Sequence, residues 1–264
     1  MKWNPKASYG QLLLICFFAL LIGGIFFQLE DDATSGIQDR VGVFFLICTL
    51  TQTMNNGAVE PLMDERILFI HEATSGFYRV SSYYLSKLLA DLLPQRGIPT
   101  ILFAVITYYM LGLKPDISSF FIYLFDLLVC TYSSVAMMFV IGASCRKFSN
   151  VQLFIGLDLI LQCLFAGFLI NIQSLPSWLA WLEYLSMARY SYKILSINEL
   201  KDEVFCYPPP SNLSCITGNY YLESQGIDYS TWGLWQNFMA MGIIGTGVYI
   251  ITYFKLRTIP KISV

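Results

Sequence analysis

Residues 64–87 read DERILFIHEATSGFYRVSSYYLSK and lie between two apolar segments of membrane-spanning length. The stretch is charged and aromatic, and it contains the one histidine of the chain. Its side chains of interest are Glu65, Arg66, His71, Glu72 and Arg79. Charged and apolar residues mixed in this way predict a short amphipathic helix lying across the cytoplasmic mouth of a helix bundle.

The composition is that of an integral membrane protein. Charged residues make up 13% of the 264 residues and hydrophobic residues 56%, with a mean hydropathy of +0.57. Soluble domains carry about 25% charged residues. The net charge of −2 and the absence of a basic run give no indication of a nucleic-acid partner.

Apolar segments of about 20 residues are long enough to cross a bilayer. We predict an all-α fold with six transmembrane helices at about residues 8–28, 41–60, 88–113, 117–143, 151–173 and 234–254. With the N-terminus in the cytoplasm, the inner side carries 10 lysines and arginines and the outer side 5. This excess predicts that both termini and the loop 61–87 are cytoplasmic. The segment 174–233 is then extracellular, and its aromatic first part predicts an interfacial or re-entrant helix.

The second predicted helix carries a polar stripe. Thr49, Gln52, Thr53 and Asn56 recur at i, i+3, i+4 and i+7, and Glu60 follows at i+11. Helical geometry places these positions on one face. Two interpretations remain open: the stripe lines a water-filled cavity, or it forms hydrogen bonds between helices.

The third predicted helix contains two prolines and a charge. Pro94 and Pro99 predict a kink or a break. Arg96 needs a partner or water inside the membrane, and Asp91, five residues earlier, is a possible partner but is poorly spaced for pairing in an α-helix.

The fourth and fifth predicted helices each contain a carboxylate, Asp126 and Asp158. Either is an ion-pathway group or, as is commoner, a hydrogen-bonding group between helices. One stripe of the fifth helix comprises Gly156, Ile160, Cys163 and Gly167. Asp158 points about 200° around the helix from Gly156, so the two faces do not line one pore together.

The predicted extracellular segment contains Cys206 and Cys215 on either side of a proline-rich turn. In an oxidising compartment these cysteines are expected to be bridged, which stabilises the loop by roughly 2–3 kcal/mol. Asn212 heads an Asn-Leu-Ser glycosylation sequon between them. The remaining cysteines are expected to be free and inert: Cys16, Cys48, Cys130, Cys145 and Cys163.

No phosphate-binding loop, metal-ligand cluster or catalytic triad is present in the sequence. The chain is therefore not expected to hydrolyse ATP by itself, and no cofactor is expected on it.

Several motifs occur in collinear order: LFIHE at 68–72, YRVSS at 78–82, DLLP at 91–94, MLGLKP at 110–115, QGID at 225–228 and WGLW at 232–235. On these motifs the sequence resembles the transmembrane domain of the G subfamily of ATP-binding cassette half-transporters. The resemblance implies a six-helix domain of the ABC-2 type that follows a nucleotide-binding domain, which is absent from these 264 residues. ATP and magnesium would bind in that cassette domain, and residues 64–82 would receive its motion.

The resemblance also implies a plasma-membrane glycoprotein that works as a homodimer or as a heterodimer with another G-subfamily half-transporter, among membrane lipid and sterol. The family's substrate cavity lies on the dimer axis, and the matching positions here are Thr49, Leu50, Thr53, Gly156, Ile160 and Cys163. Phe168 and Leu169 match the family's di-leucine plug. Cys206 and Cys215 match its intramolecular disulfide.

Four departures from the family pattern bear on function. An aromatic residue that clamps flat substrates is replaced by Thr53, a neighbouring asparagine by Leu50, and a threonine by Gly156. Stacking of aromatic solutes should weaken by about 0.5–1.5 kcal/mol per aromatic pair. The cysteine of the intersubunit disulfide has no counterpart, so any dimer is expected to be noncovalent.

The expected function is the membrane half of an exporter of hydrophobic or amphipathic solutes. Two alternatives remain open. One is a regulatory or dominant-negative subunit without a cassette. The other is an ion-coupled carrier that uses Asp126 and Asp158.

Overall fold

A computed structural model of the chain describes residues 5–30, 32, 35–145, 147–170, 176–207 and 215–262. Asn212, the predicted glycosylation site, lies outside the described residues.

The described chain is mostly helical, which confirms the all-α class. Its first half contains α1 (Pro5–Ile25), α2 (Gly36–Met54), α3 (Val59–Asp64), α4 (Arg66–Thr74), α5 (Val80–Ala90) and α6 (Ile98–Leu111). Its second half contains α7 (Ile117–Ser144), α8 (Phe148–Leu164), α9 (Ser177–Ala180), α10 (Met187–Leu200), α11 (Gly218–Ser224) and α12 (Thr231–Ile262). Two short strands, β1 (Val204–Phe205) and β2 (Ile216–Thr217), pair antiparallel between α10 and α11.

Among the described residues, three helical stretches are long and apolar enough to cross a membrane: Val80–Leu111, Ile117–Ser144 and Thr231–Ile259. Tyr9–Ile25 and Phe148–Leu164 are shorter apolar helices. Three full-length spans establish a membrane protein, and the count of six crossings stays a prediction.

The third span is continuous but irregular at its prolines. A π-helix over Asp91–Gly97 joins α5 to α6 and contains Pro94. Hydrogen bonds in a π-helix run from i to i+5. This wider turn brings Arg96 Nε to 3.7 Å from Asp91 Oδ2. The expectation that the two residues are poorly spaced is wrong, because it assumed α-helical geometry.

Helix α7 lies at the centre of the bundle. It packs against α12, α10, α2 and α6, and α1 packs along α6. Its side chains Tyr123, Leu127 and Phe139 are almost completely buried. Helix α10 packs among α2, α7 and α12, so this helix forms part of the bundle core.

Candidate functional site

Helices α2 and α8 bring three of the predicted cavity residues together. Thr49 Oγ1 on α2 lies 3.9 Å from Cys163 Sγ on α8. One turn along α2, the Thr53 hydroxyl donates to the Thr49 carbonyl oxygen at 2.8 Å. All three side chains are half-buried. They form a small polar site at the edge of the protomer, which we call the α2–α8 face.

The α2–α8 face is not filled by other parts of the protomer. A Cβ atom added to Gly156 would meet nothing within 4 Å, and Ile160 is 57% exposed. Leu50 is about 100° around α2 from Thr49. It lines a different cleft of about 410 Å³, which also contains Arg96 and Phe103.

The polar stripe of α2 divides in the structure. Gln52 is 3% exposed, and its Nε2 lies 3.8 Å from Cys130 Sγ on α7. Helix α2 ends at Met54, and a 3₁₀ turn follows over Asn55–Ala58. Because a 3₁₀ turn has about 3.0 residues per turn, Asn56 does not continue the α-helical face. The interpretation as a hydrogen bond between helices therefore fits Gln52. Thr49 and Thr53 keep a side that no other part of the described chain covers.

The predicted plug residues follow the end of α8. Gly167 has a φ of +95°, a conformation that glycine adopts without strain. The turn places the Phe168 ring 5.0 Å from the ring of Phe45 in a stacked arrangement. It also lies 6.4 Å from the ring of Tyr192 on α10. Leu169 is 54% exposed.

Both membrane carboxylates accept hydrogen bonds from neighbouring side chains. Asp126 Oδ2 accepts from the Ser191 hydroxyl of α10 at 2.6 Å, and Asp126 is 0% exposed. Asp158 Oδ1 accepts from Gln162 Nε2 at 3.4 Å. Gln162 Oε1 in turn accepts from the backbone N–H of Ala188 at 3.2 Å. These contacts favour the structural interpretation of both carboxylates over an ion pathway.

Residues of the loop 61–87 connect α4 to the membrane helices. Lys87 Nζ of α5 lies 2.7 Å from Glu65 Oε2. Arg66 donates to the carbonyl oxygens of Gly142 and Cys145 at the end of α7. A displacement of α4 would therefore be transmitted to two long helices at once.

The other predicted coupling residues differ in exposure. His71 and Arg79 are exposed, whereas Glu72 is half-buried. Burial raises the pKa of Tyr78 to about 12, and a hydrogen bond to Glu72 acts in the same direction. The ring of Tyr83 stacks between Phe69 at 4.5 Å and Tyr78 at 5.7 Å, which holds α4 against α5.

A buried ion pair between α2 and α10 was not predicted. Arg40 Nε lies 3.5 Å from Glu199 Oε1, and the two residues are 4% and 3% exposed. Arg40 also donates to the Glu30 carbonyl oxygen at 2.7 Å. The backbone N–H of Lys114 donates to Glu199 Oε2 at 3.2 Å. Arg40 and Glu199 are 159 residues apart in the sequence, so no local pattern points to the pair.

The predicted disulfide is present. Cys206 and Cys215 are bonded, directly after β1 and directly before β2. The other five cysteines are free, as predicted.

Changing Cys215 to serine is expected to lower the free energy of unfolding by roughly 2–3 kcal/mol, because the short loop gains freedom in the unfolded chain. Thermal unfolding of the purified protein, with and without reductant, measures this. Cys16→Ser is the matched control, since Cys16 is free. Equal unfolding curves for the Cys215 variant and the control would show that the bridge does not stabilise the fold.

Among the described residues, no group of three His, Cys, Asp or Glu side chains is placed to hold a metal ion. The described part of the chain is a helical bundle with apolar helices long enough to cross a membrane. Residues 1–200 match the family "ABC-2 type transporter", and the chain belongs to this family.

Relatives of the chain lie in the G subfamily. It is 42% identical over 266 residues to the broad substrate specificity ATP-binding cassette transporter ABCG2 of Sus scrofa, and equally so to that of Bos taurus. These alignments cover 98% of this chain and 40% of each relative. ATP-binding cassette sub-family G member 3 of Mus musculus is 31% identical over 270 residues, covering 99% of this chain and 41% of the relative. The chain thus spans less than half the length of these relatives.

Proposed function

We propose that this chain forms half of the membrane pathway of an ATP-driven exporter for hydrophobic or amphipathic solutes. The observation that carries the proposal is the α2–α8 face, where Thr49, Thr53 and Cys163 form a polar site with an open side. Polar groups facing lipid would be unfavourable. A water-filled chamber closed by a second subunit satisfies them.

A second G-subfamily subunit is the partner that fits this face. Helix α8 presents apolar side chains next to the polar site, with Leu153, Leu157 and Ile160 each more than half exposed. A two-fold arrangement would bury these residues and leave Thr49 and Thr53 around a shared chamber. The cysteine that forms the intersubunit disulfide in the family has no counterpart in this sequence, so the contact is noncovalent in this proposal.

The side chains of the α2–α8 face indicate which solutes would bind. Thr53 and Gly156 provide no aromatic surface, and the thiol of Cys163 is small and polarizable. Amphipathic solutes with aliphatic bodies therefore suit the chamber better than flat aromatic ones. ATP and magnesium would bind in a cassette domain, and the plasma membrane with cytoplasmic termini is the proposed location.

The direct test of the proposed function uses the chain joined to a G-subfamily nucleotide-binding domain. Inside-out vesicles containing this protein should accumulate a labelled amphipathic solute in the presence of ATP. A protein that binds and hydrolyses ATP but never accumulates any solute would contradict the proposal.

Arg66→Ala is expected to reduce solute-stimulated transport roughly tenfold while ATP hydrolysis continues. The variant loses the contacts that join α4 to the end of α7, and hydrogen bonds from a charged donor are worth about 1.5–3 kcal/mol each. The ratio of solute transported to ATP hydrolysed is the measurement. Arg257→Ala, which removes an exposed arginine of α12, is the control. A ratio that is the same in both variants would rule out a coupling role for Arg66.

A further inference from the structure

Helix α10 is buried at every position except Lys193 and Asn198. The Asn198 amide donates to the Ser119 carbonyl oxygen at 3.0 Å. Lys193 is half-buried, and its ammonium group has no hydrogen bond or ion pair within the part of the chain that the structure describes. A partly desolvated ammonium group without an acceptor is unfavourable, so this position favours binding of an anion.

A second cation stands one turn before Lys193. Arg189 is 8% exposed, and its Nη2 lies 3.1 Å from Glu183 Oε1. Its Nε has no hydrogen-bond partner, and neither has Glu183 Oε2. The guanidinium carbon lies 5.1 Å from the ring centre of Tyr184. The guanidinium is therefore held in position with one donor still unused.

The cluster formed by Glu183, Arg189 and Lys193 carries more positive than negative charge. Glu183 supplies one carboxylate against the two cations Arg189 and Lys193. Burial lowers the pKa of Lys193 to about 8, Arg189 acts in the same direction, and Glu183 opposes them. One more negative group near both cations would raise the pKa of Lys193 towards its ordinary value.

The cluster lies beside residues typical of the membrane surface. Trp178, Trp181 and Tyr184 are 73%, 59% and 59% exposed and precede α10. Tryptophan and tyrosine are enriched at the level of lipid headgroups. The negative groups available at that level are lipid phosphates, and arginine and lysine side chains both bind phosphate.

We propose that Arg189 and Lys193 bind the phosphate of a phospholipid in the outer leaflet. The exposed ring of Tyr184 packs against the cationic part of the headgroup, as aromatic rings do with quaternary ammonium groups. Placement in the outer leaflet rests on the proposed orientation, whereas the phosphate site itself does not depend on transport. The occupant is one phosphatidylcholine or a similar zwitterionic lipid.

The test uses fluorescence anisotropy to measure the affinity of a fluorescent phosphatidylcholine for the purified protein in detergent. Lys193→Thr is expected to weaken binding about fivefold, which is the contribution of one lysine to lipid phosphate binding. Lys201→Thr is the matched control, because it removes a lysine just beyond the end of α10. Lys193→Arg should bind as the unchanged protein does. A diacylglycerol with the same fluorophore but no phosphate should bind equally to all these variants.

The pH dependence gives a readout that does not rely on the threonine variant folding. A protonated Lys193 is needed for phosphate binding, so the affinity should fall as the pH rises from 7 through about 8. Lys193→Arg should stay constant over this range. Equal losses in Lys193→Thr and Lys201→Thr, or the same pH profile for the unchanged protein and Lys193→Arg, would overturn the proposal. Competition by millimolar inorganic phosphate would also overturn it, because the site would then take a free anion.

Discussion

Cys163→Trp is expected to reduce ATP-driven solute transport by roughly tenfold or more. Cys163 Sγ lies 3.9 Å from Thr49 Oγ1, so an indole at this position would occupy the space in front of the polar site. In the proposed two-fold dimer of this chain, each protomer would add one indole to the chamber. Thr49→Trp and Thr53→Trp are expected to alter transport in the same direction.

The measurement is ATP-dependent solute uptake into inside-out vesicles by the chain joined to a nucleotide-binding domain. The matched control is Ile243→Trp, because Ile243 is 72% exposed on α12 and away from the α2–α8 face. Surface expression and basal ATP hydrolysis are recorded for each variant, so that a folding defect is distinguished from a blocked chamber. Unchanged transport in all three cavity variants would reject the assignment of the chamber to this face.

Arg40→Met is expected to destabilise the protein by about 3–5 kcal/mol, because it leaves the carboxylate of Glu199 buried without its cation. Glu199 is 3% exposed, and it also accepts a hydrogen bond from the backbone N–H of Lys114. The change would also remove the hydrogen bond from Arg40 to the Glu30 carbonyl oxygen. Thermal and denaturant unfolding of the purified protein in detergent measure the effect.

The double variant Arg40→Met with Glu199→Met separates the cost of an unpaired buried carboxylate from the net contribution of the ion pair to stability. Since replacing a whole buried ion pair by apolar residues is often neutral, the double variant should recover most of the stability. The control Lys201→Met, just beyond the end of α10, should change stability little. A double variant that is less stable than Arg40→Met alone would contradict this, because Glu199 would then stabilise the fold without Arg40.

The membrane class, the helical fold and the family could be predicted from the sequence. Composition alone separates this chain from soluble proteins, and the collinear motifs are dense enough to indicate the ABC-2 family. The disulfide was predictable because both cysteines lie in one short loop that the sequence predicts to be extracellular. Each of these inferences uses either the whole chain or a few adjacent residues.

Local departures from α-helical geometry could not be predicted. The prediction of one polar stripe from Thr49 to Glu60 assumed a regular α-helix. The 3₁₀ turn after Met54 changes the direction of the later side chains. Pairing of Asp91 with Arg96 depends in the same way on the π-helix. Proline content signals an irregularity, but it does not determine whether the helix breaks, kinks or widens.

Contacts between residues far apart in the sequence were also beyond prediction. Gln52 bonding to Cys130, and Arg40 pairing with Glu199, depend on which helices become neighbours. The sequence shows that such polar residues need partners but does not identify them.

A cryo-electron microscopy structure of the protein in lipid nanodiscs tests the central claim most directly. The account predicts two protomers related by a two-fold axis, with Thr49, Thr53 and Cys163 of each facing a water-accessible chamber. A single protomer in each particle, or a dimer in which Thr49 and Thr53 contact lipid acyl chains, would contradict it.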